Sequence, residues 1–265
     1  MKLKQLFGLD GRIALVTGGS RGIGLMIAEG LLYAGCERVY LTARKADHLE
    51  RTVGKLGERV IGIPGDLSTM GGIEALAAEL AEREEQLDIL VNNAGAAWGA
   101  TFASFPESGW DKVLDLNLKA PFFLTQKLHP LLKAAATAER PAKVINIASI
   151  DGRAINPWET YSYQASKAGL IQLTRRMAAQ LIDDRIVVSA IAPGAFPSSM
   201  NIPARDAADV VAKAIPAGRV GKPEDMAAAA IYLASRAGDY VVGSTLTIDG
   251  GVVDAGFSKS LGDPY

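Results

Sequence analysis

The sequence predicts an α/β chain of the Rossmann-like, doubly wound kind, with a parallel sheet of about seven strands and helices on both faces. Three observations predict it. Short apolar runs alternate with segments of helical period along the whole chain. Strands covered on both faces need no polar side, so they read as continuous apolar runs rather than alternating ones. A glycine-rich turn directly follows the first such run and opens the first helical segment. No internal repeat, low-complexity tract or linker divides the 265 residues. Residues 1–265 are therefore expected to form one domain.

Each element has its own signal. Residues 12–17 hold the first apolar run (Ile13, Ala14, Leu15, Val16), and residues 23–34 carry helical spacing after the glycines. Residues 39–42 and 59–63 read as the second and third strands, with a helical segment at 47–56 between them. The Ala/Glu/Leu-rich stretch 73–85 favours helix, and residues 88–91 form the fourth strand. Residues 107–135 show one long helical pattern, followed by a fifth strand at 144–148. A strong helix is expected at 161–182, a sixth strand at 186–192 and a seventh at 245–248. Between the last two, residues 223–235 form a helix with Pro223 in its first turn, where proline is tolerated. Residues 193–217, rich in Pro, Ser and Ala, follow a strand's C-terminal end. Ligands bind beyond that edge in such sheets, so this stretch is expected to be a substrate lid.

Bulk composition narrows the function. With 28 basic and 29 acidic residues the net charge is −1, and no basic stripe marks a nucleic-acid or anionic-membrane surface. Cys36 is the only cysteine, so no internal disulfide forms, which fits a reducing cytosol. No stretch approaches the ~18 apolar residues of a spanning helix, and residues 1–10 lack the apolar run of a signal peptide. A cytoplasmic protein acting on small molecules is the expectation, with no nucleic-acid or membrane partner. His48 and His129 are too few and too far apart for a zinc site. No metal is expected.

The turn Thr17-Gly18-Gly19-Ser20-Arg21-Gly22-Ile23-Gly24 permits close backbone approach to a pyrophosphate, and the following helix offers unpaired N–H groups to it. A phosphoryl-transfer loop would need Lys then Ser/Thr after the last glycine; Leu25 and Met26 stand there. The second strand ends Thr42-Ala43-Arg44-Lys45, with no acid to bond a ribose 2′-hydroxyl as an NAD site requires. Arg44, Lys45 and Arg21 instead suit a 2′-phosphate, so NADP(H) is the expected cofactor. Asp66 and Leu67 follow the third strand, where a carboxylate can bond the adenine amino group. Asn92-Asn93-Ala94-Gly95 follows the fourth, where small residues let backbone pack against a cofactor. The alternative for both segments is ordinary turn chemistry, which Asn, Asp and Gly also suit.

Tyr163 and Lys167 are four apart in the strong helix and share a face. A tyrosine titrates near ~10, and a neighbouring ammonium favours the phenolate and lowers that value. Each unit of lowering takes about 1.4 kcal/mol. Ser149 ends the fifth strand, fourteen positions earlier, where its hydroxyl can polarise a substrate carbonyl, an effect worth about 3 kcal/mol. Pro121 has no N–H for the Asn117 carbonyl four residues back. A kink should follow, and the freed carbonyl can hold a water linking Lys167 to solvent.

The set of 17–24, 92–95, Asn117, Ser149, Tyr163/Lys167, Pro193-Gly194 and Asp249-Gly250-Gly251 resembles the short-chain dehydrogenase/reductase family from about Gly8 to Val252. The resemblance implies a catalytic tetrad of Asn117, Ser149, Tyr163 and Lys167, with Lys167 also on the nicotinamide ribose. It implies cofactor contacts from Gly18, Ser20, Arg21, Gly22, Ile23, Gly24, Arg44, Lys45, Asp66, Leu67, Asn93, Ala94, Gly95, Tyr163, Lys167, Pro193, Gly194, Phe196 and Ser198. Many members carry threonine at the position of Ser198; serine keeps the hydroxyl. The family also implies a homotetramer, or a dimer, built on the long helices around Asn117 and Tyr163. The segments 97–100, 108–110 and 192–198 are similar to β-ketoacyl (3-oxoacyl) reductases of the rhamnolipid-pathway type. The tail 253–265 runs past the usual end of the family.

An NADPH-dependent ketone reductase acting on a 3-oxoacyl thioester is thus the first expectation. A sugar, polyol or xenobiotic ketone is the alternative. A non-catalytic NADP(H) sensor is the rival from another class, and such a protein should have lost Tyr163 or Lys167. Trp98, Trp158, Phe196 and Met200 are candidates for a substrate pocket or for core. Arg175 and Arg176 read as a solvated helix face, the alternative being a dock for an acidic carrier protein. Cys36 reads as a small packed residue.

Overall fold

The computed structural model describes residues 2–255. Its strands are β1 (Ile13–Thr17), β2 (Arg38–Ala43), β3 (Val60–Pro64), β4 (Ile89–Asn92), β5 (Ala142–Ile147), β6 (Ile186–Pro193) and β7 (Thr245–Ile248). They form one sheet in the order β3-β2-β1-β4-β5-β6-β7, parallel at every pairing. The helices are α1 (Leu3–Phe7), α2 (Gly22–Tyr33), α3 (Ala46–Leu56), α4 (Met70–Arg83), α5 (Glu107–Leu114), α6 (Ala120–Ala135), α7 (Tyr161–Leu181), α8 (Ile202–Asp206), α9 (Ala208–Ala212) and α10 (Pro223–Ala234).

Strand geometry sends successive side chains to opposite faces, and both faces are apolar. Ala14 and Val16 meet Ile27 and Leu31 of α2, Leu49 of α3 and Met226 and Leu233 of α10. Ile13 and Leu15 meet Leu76 and Leu80 of α4 and Leu124 and Leu128 of α6 on the other side. Each such leucine contributes about 2 kcal/mol by leaving water. This two-sided burial is why the strands read as unbroken apolar runs.

Several boundaries differ from expectation for local reasons. The pattern over 107–135 is not one helix: a π turn, Asp115–Lys119, separates α5 from α6. Pro121 cannot donate to the Asn117 carbonyl. The ladder widens just before it, the Ala120 N–H reaching the Asp115 carbonyl five residues back. Helix α4 begins three residues earlier than its apolar period, because the Thr69 hydroxyl accepts the Gly72 N–H at 3.1 Å and caps it. The stretch 193–217 carries two short helices, α8 and α9, and α1 precedes the sheet. Of the tail, residues 256–265 lie outside the described residues. No helix among the described residues is long and apolar enough to cross a membrane.

The edge of the sheet opposite the ligand-binding edge is tied by a buried charge pair. Arg12 Nη1 donates to Asp88 Oδ1 at 3.2 Å, and the Ile13 N–H donates to Asp88 Oδ2 at 2.9 Å. The two side chains are 7% and 2% exposed. Burial pulls the Arg12 guanidinium below its ordinary value, and Asp88 opposes that fall. Removing one member of a buried pair strands the other charge, at a cost of about 3–5 kcal/mol. Asp88→Ala should lower stability by that much, read as a fall in the urea midpoint at constant slope.

Candidate active site

The C-terminal ends of the strands open into one cleft of about 970 Å³. β1 has β2 on one side and β4 on the other, so the chain leaves it in opposite directions, the switch point where doubly wound sheets bind ligands.

The glycine turn is held by its neighbours. The Gly18 N–H donates to the Thr42 carbonyl at 2.8 Å. The Thr17 hydroxyl oxygen accepts the N–H groups of Asn93 and Ala94, each at 2.9 Å, and Asn93 Nδ2 donates to the Thr17 carbonyl at 2.8 Å. β1 and the loop after β4 are therefore bolted together under the cleft. A methyl group on Gly24 would stand 2.4 Å from the Gly18 carbonyl oxygen, so only glycine closes this turn onto α2. Gly18 and Gly22 also hold φ of 65° and 55°, which favour glycine. Gly18, Ser20, Arg21, Gly22, Ile23 and Gly24 line the cleft with Arg44 and Lys45 from the end of β2. A backbone cradle beside these cations, with no carboxylate at the end of β2, is donor chemistry that fits a 2′-phosphorylated dinucleotide. Leu67, Asn93, Ala94, Gly95, Pro193, Gly194, Phe196 and Ser198 line the same cleft.

Asp66 also lines it, but part of its carboxylate is committed. Oδ1 accepts the Ser68 N–H at 3.0 Å and the Ser68 hydroxyl at 2.8 Å. Burial pushes this carboxyl up, yet the Ser68 bonds and nearby Arg44 outweigh that and hold it below its ordinary value. Asp66 thus builds the turn after β3 while also lining the cleft.

Tyr163 and Lys167 from α7 meet Ser149, which follows β5, in the cleft. Lys167 Nζ stands 5.6 Å from the centre of the Tyr163 ring and donates to the Ile147 carbonyl at 2.7 Å. The Ser149 oxygen accepts the Asp151 N–H at 3.1 Å, which leaves its own proton free to be donated. Asn117, 1% exposed, spends its side chain on structure. Nδ2 donates to the Ala96 carbonyl at 2.9 Å and to the Ser166 hydroxyl at 3.1 Å, and Oδ1 accepts the Ala96 N–H at 2.8 Å. It ties the loop after β4 to α7, while its side chain does not line the cleft.

One expectation is corrected. Lys167 was to lower the Tyr163 hydroxyl. Burial instead pushes Tyr163 up to about 12, with Ser149 opposing and Asp151 adding to the rise. The ammonium is itself desolvated, which brings Lys167 down to about 8 against the pull of Asp151. Spacing put the two groups on one face, but burial sets the direction of both titrations.

Trp158 and Met200 line the cleft and Trp98 does not; Trp98 stacks under Lys112, whose Nζ is 5.0 Å from the ring. Phe196 does both jobs, lining the cleft while only 3% exposed. Cys36 is fully buried in the core. His129 pairs with Asp184 at 2.8 Å, whereas His48 borders the cleft. Arg175 and Arg176 bond Gln172 and Gln180 on their own helix. Sequence reasoning missed Asp151 and Asn156 as lining residues. The signal for Asp151 was its place two residues past Ser149, in the loop that leaves the ligand-binding edge.

The comparisons agree with this geometry. A family model described as enoyl-(acyl carrier protein) reductase matches residues 18–253. The chain is 50% identical over 252 residues to the rhamnolipids biosynthesis 3-oxoacyl-(acyl-carrier-protein) reductase of Pseudomonas aeruginosa, covering 92% of this chain and 97% of that protein. It is 36% identical over 252 residues to the 2-dehydro-3-deoxy-D-gluconate 5-dehydrogenase of Escherichia coli, covering 92% and 96%. The solved Pseudomonas aeruginosa RhlG/NADP active-site complex superposes with a TM-score of 0.90 at 49% identity, over 94% of this chain and 98% of that one. A gluconate 5-dehydrogenase from Burkholderia cenocepacia J2315, in complex with NADP and tartrate, superposes with a TM-score of 0.87 at 33% identity, over 96% and 100%. By sequence match, by sheet order and by the residues gathered at the strand ends, the chain belongs to the short-chain dehydrogenase/reductase family.

Proposed function

We propose that this protein is an NADPH-dependent carbonyl reductase that interconverts a ketone and a secondary alcohol, with a 3-oxoacyl thioester as its leading substrate. One observation carries the reading: Ser149, Tyr163 and Lys167 share a single cleft with the glycine turn and the cations Arg44 and Lys45. When bound, NADPH supplies the hydride. Arg44, Lys45 and Arg21 hold the 2′-phosphate, and the turn 18–24 holds the pyrophosphate. The Ser149 hydroxyl, kept as a donor by the Asp151 N–H, polarises the substrate oxygen, and Tyr163 protonates it. Lys167 supplies positive charge beside Tyr163 and anchors the ribose. The backbone carbonyl of Asn117, left without its α-helical partner by Pro121, passes protons through a water to Lys167.

The thioester rests on the 50% identical relative from Pseudomonas aeruginosa, named for reduction of a 3-oxoacyl carrier-protein substrate. A sugar-derived ketone is the second reading, supported by the relatives named as 5-dehydrogenases of deoxygluconate and gluconate. Residues 193–217 act as a lid: Ser198, Met200, Asn201, Pro203 and Val211 from this stretch line the cleft. A homotetramer packed through α5, α6 and α7 fits the exposed Trp110, Phe122 and Tyr161 on those helices.

The deciding experiment follows NADPH absorbance with acetoacetyl thioesters, diketones and keto-sugars. Oxidation of NADPH with the thioester at a kcat/KM at least ~10-fold above the keto-sugars is expected, a span that a few pocket contacts supply. A keto-sugar turned over faster would transfer the assignment to the second reading.

A further inference from the structure

The cleft is electrically asymmetric. Arg21, Arg44 and Lys45 sit by β1 and β2, whereas Ser149, Tyr163 and the buried cation Lys167 sit past β5. β2 and β5 are three strands apart in the sheet order, roughly 14 Å at ~4.8 Å per strand. Two aspartates border the cleft among the described residues, Asp66 after β3 and Asp151 after Ser149. Ser68 and Arg44 compensate the charge of Asp66. The charge of Asp151 is covered less well, because burial outweighs Asn156 and Lys167 there. No lysine or arginine lies within 4 Å of its carboxylate among the described residues. Lys167 donates to the Ile147 carbonyl, and Arg153 pairs with Asp254. Burial pushes the Asp151 carboxyl above its ordinary value, with Asn156 and Lys167 only opposing the rise.

Asp151 also stands close to the chemistry. Its N–H bonds the Ser149 oxygen at 3.1 Å, so its side chain sits one short loop from the group that holds the substrate carbonyl. Any substrate reduced here brings its neighbouring atoms near this carboxylate. A partly desolvated carboxylate repels an anion and gains from a hydrogen-bond donor.

We propose that Asp151 is a specificity-determining residue of this cleft: its carboxylate rejects ketones that carry an anionic group beside the carbonyl and accepts a hydrogen bond from an O–H or N–H on a neutral substrate. The proposal rests on the reductase reading and deepens it. The donor is the amide N–H of a pantetheine-like thioester arm or the hydroxyl of a hydroxy-ketone, two sources of one chemistry. It places free β-keto acids outside the substrate range and their esters and thioesters inside it.

The test compares kcat/KM for matched ketones in the full-length wild type and in Asp151→Asn. The ketones are acetoacetate, ethyl acetoacetate, the N-acetylcysteamine thioester of acetoacetate, and 4-hydroxy-2-butanone. Wild type should prefer the ester over the free acid. The substitution should shrink that preference by about tenfold or more, the scale of a like-charge contact in a partly buried site. The thioester and the hydroxy-ketone should also lose ground to the ester in the variant, and whichever loses more identifies the donor. Asp151→Ser repeats the comparison should the amide variant misfold, with NADPH fluorescence as the check on binding. An acid-to-ester preference unchanged in both variants overturns the proposal while leaving the reductase reading intact. Failure of wild type to oxidise NADPH with any of the four overturns both.

Discussion

Tyr163→Phe should cut kcat for ketone reduction by roughly 10²- to 10⁴-fold, the usual contribution of a positioned proton donor, while NADPH binding stays within a fewfold of wild type. The substitution removes one oxygen from a half-buried ring that borders the cleft and leaves the glycine turn, Arg44 and Lys45 untouched. Stopped-flow hydride transfer and NADPH fluorescence titration separate the two effects. The pH profile checks the same assignment from another side. In the proposed mechanism reduction needs Tyr163 protonated and Lys167 charged. Tyr163 holds its proton to about 12, whereas Lys167 releases its own at about 8. Reductive kcat/KM should therefore stay level up to about pH 8 and fall above it. Stability moves oppositely for this residue. Between about 8 and the ordinary lysine value near ~10.4, the unfolded chain keeps a proton that the folded chain has lost, so Lys167 makes folding more favourable as pH rises. Loss of rate above pH 8 with the fold intact by circular dichroism would match; a rate that climbs through this range would remove Lys167 from the role.

That contrast marks the line between what sequence carries and what it does not. Parallel strands buried on both faces leave an unbroken apolar run, so the sheet could be read from 12–17, 39–42 and 88–91 directly. The cradle was legible because a methyl on Gly24 would stand 2.4 Å from the Gly18 carbonyl, a steric demand that only one residue type meets. Helical spacing put Lys167 and Tyr163 on one face, and Ser149 at the end of the fifth strand singled the pair out. Their titration could not. It depends on how deeply α7 is packed onto the sheet and on the neighbouring Asp151 charge, neither of which spacing within one helix reveals. The break in 107–135 was half legible: Pro121 announced a lost hydrogen bond, but that the ladder would repair itself by a π turn depended on fitting Asn117 to Ala96 and Ser166. Asp151 went unread because a lone carboxylate in a loop resembles any solvated charge until burial shows otherwise.

Replacing both cations at the end of β2, as Arg44→Ala with Lys45→Ala, should weaken NADPH by about 10²-fold or more and leave NADH little changed. A hydrogen bond to a charged group is worth about 1.5–3 kcal/mol, and two such groups are lost. The sheet fixes this position: Thr42 registers against Thr17, so the residues just past Ala43 stand beside the glycine turn. No carboxylate lies within 4 Å of either side chain among the described residues, which leaves both free for a phosphate. Arg44 does help hold Asp66 low, but Ser68 supplies two hydrogen bonds to that carboxylate and should keep it ionised without the guanidinium. The wild-type preference for NADPH should itself shrink with added salt, since partly exposed charges are screened over about 10 Å at 0.1 M, and the double variant should show little such dependence. Arg44→Asp goes further. A carboxylate there repels the 2′-phosphate and can accept the 2′-hydroxyl of NADH, so the ratio of kcat/KM for the two cofactors should invert. If NADPH affinity survives both changes, the phosphate is held by Arg21 and the turn alone, and the end of β2 has no part in choosing the cofactor.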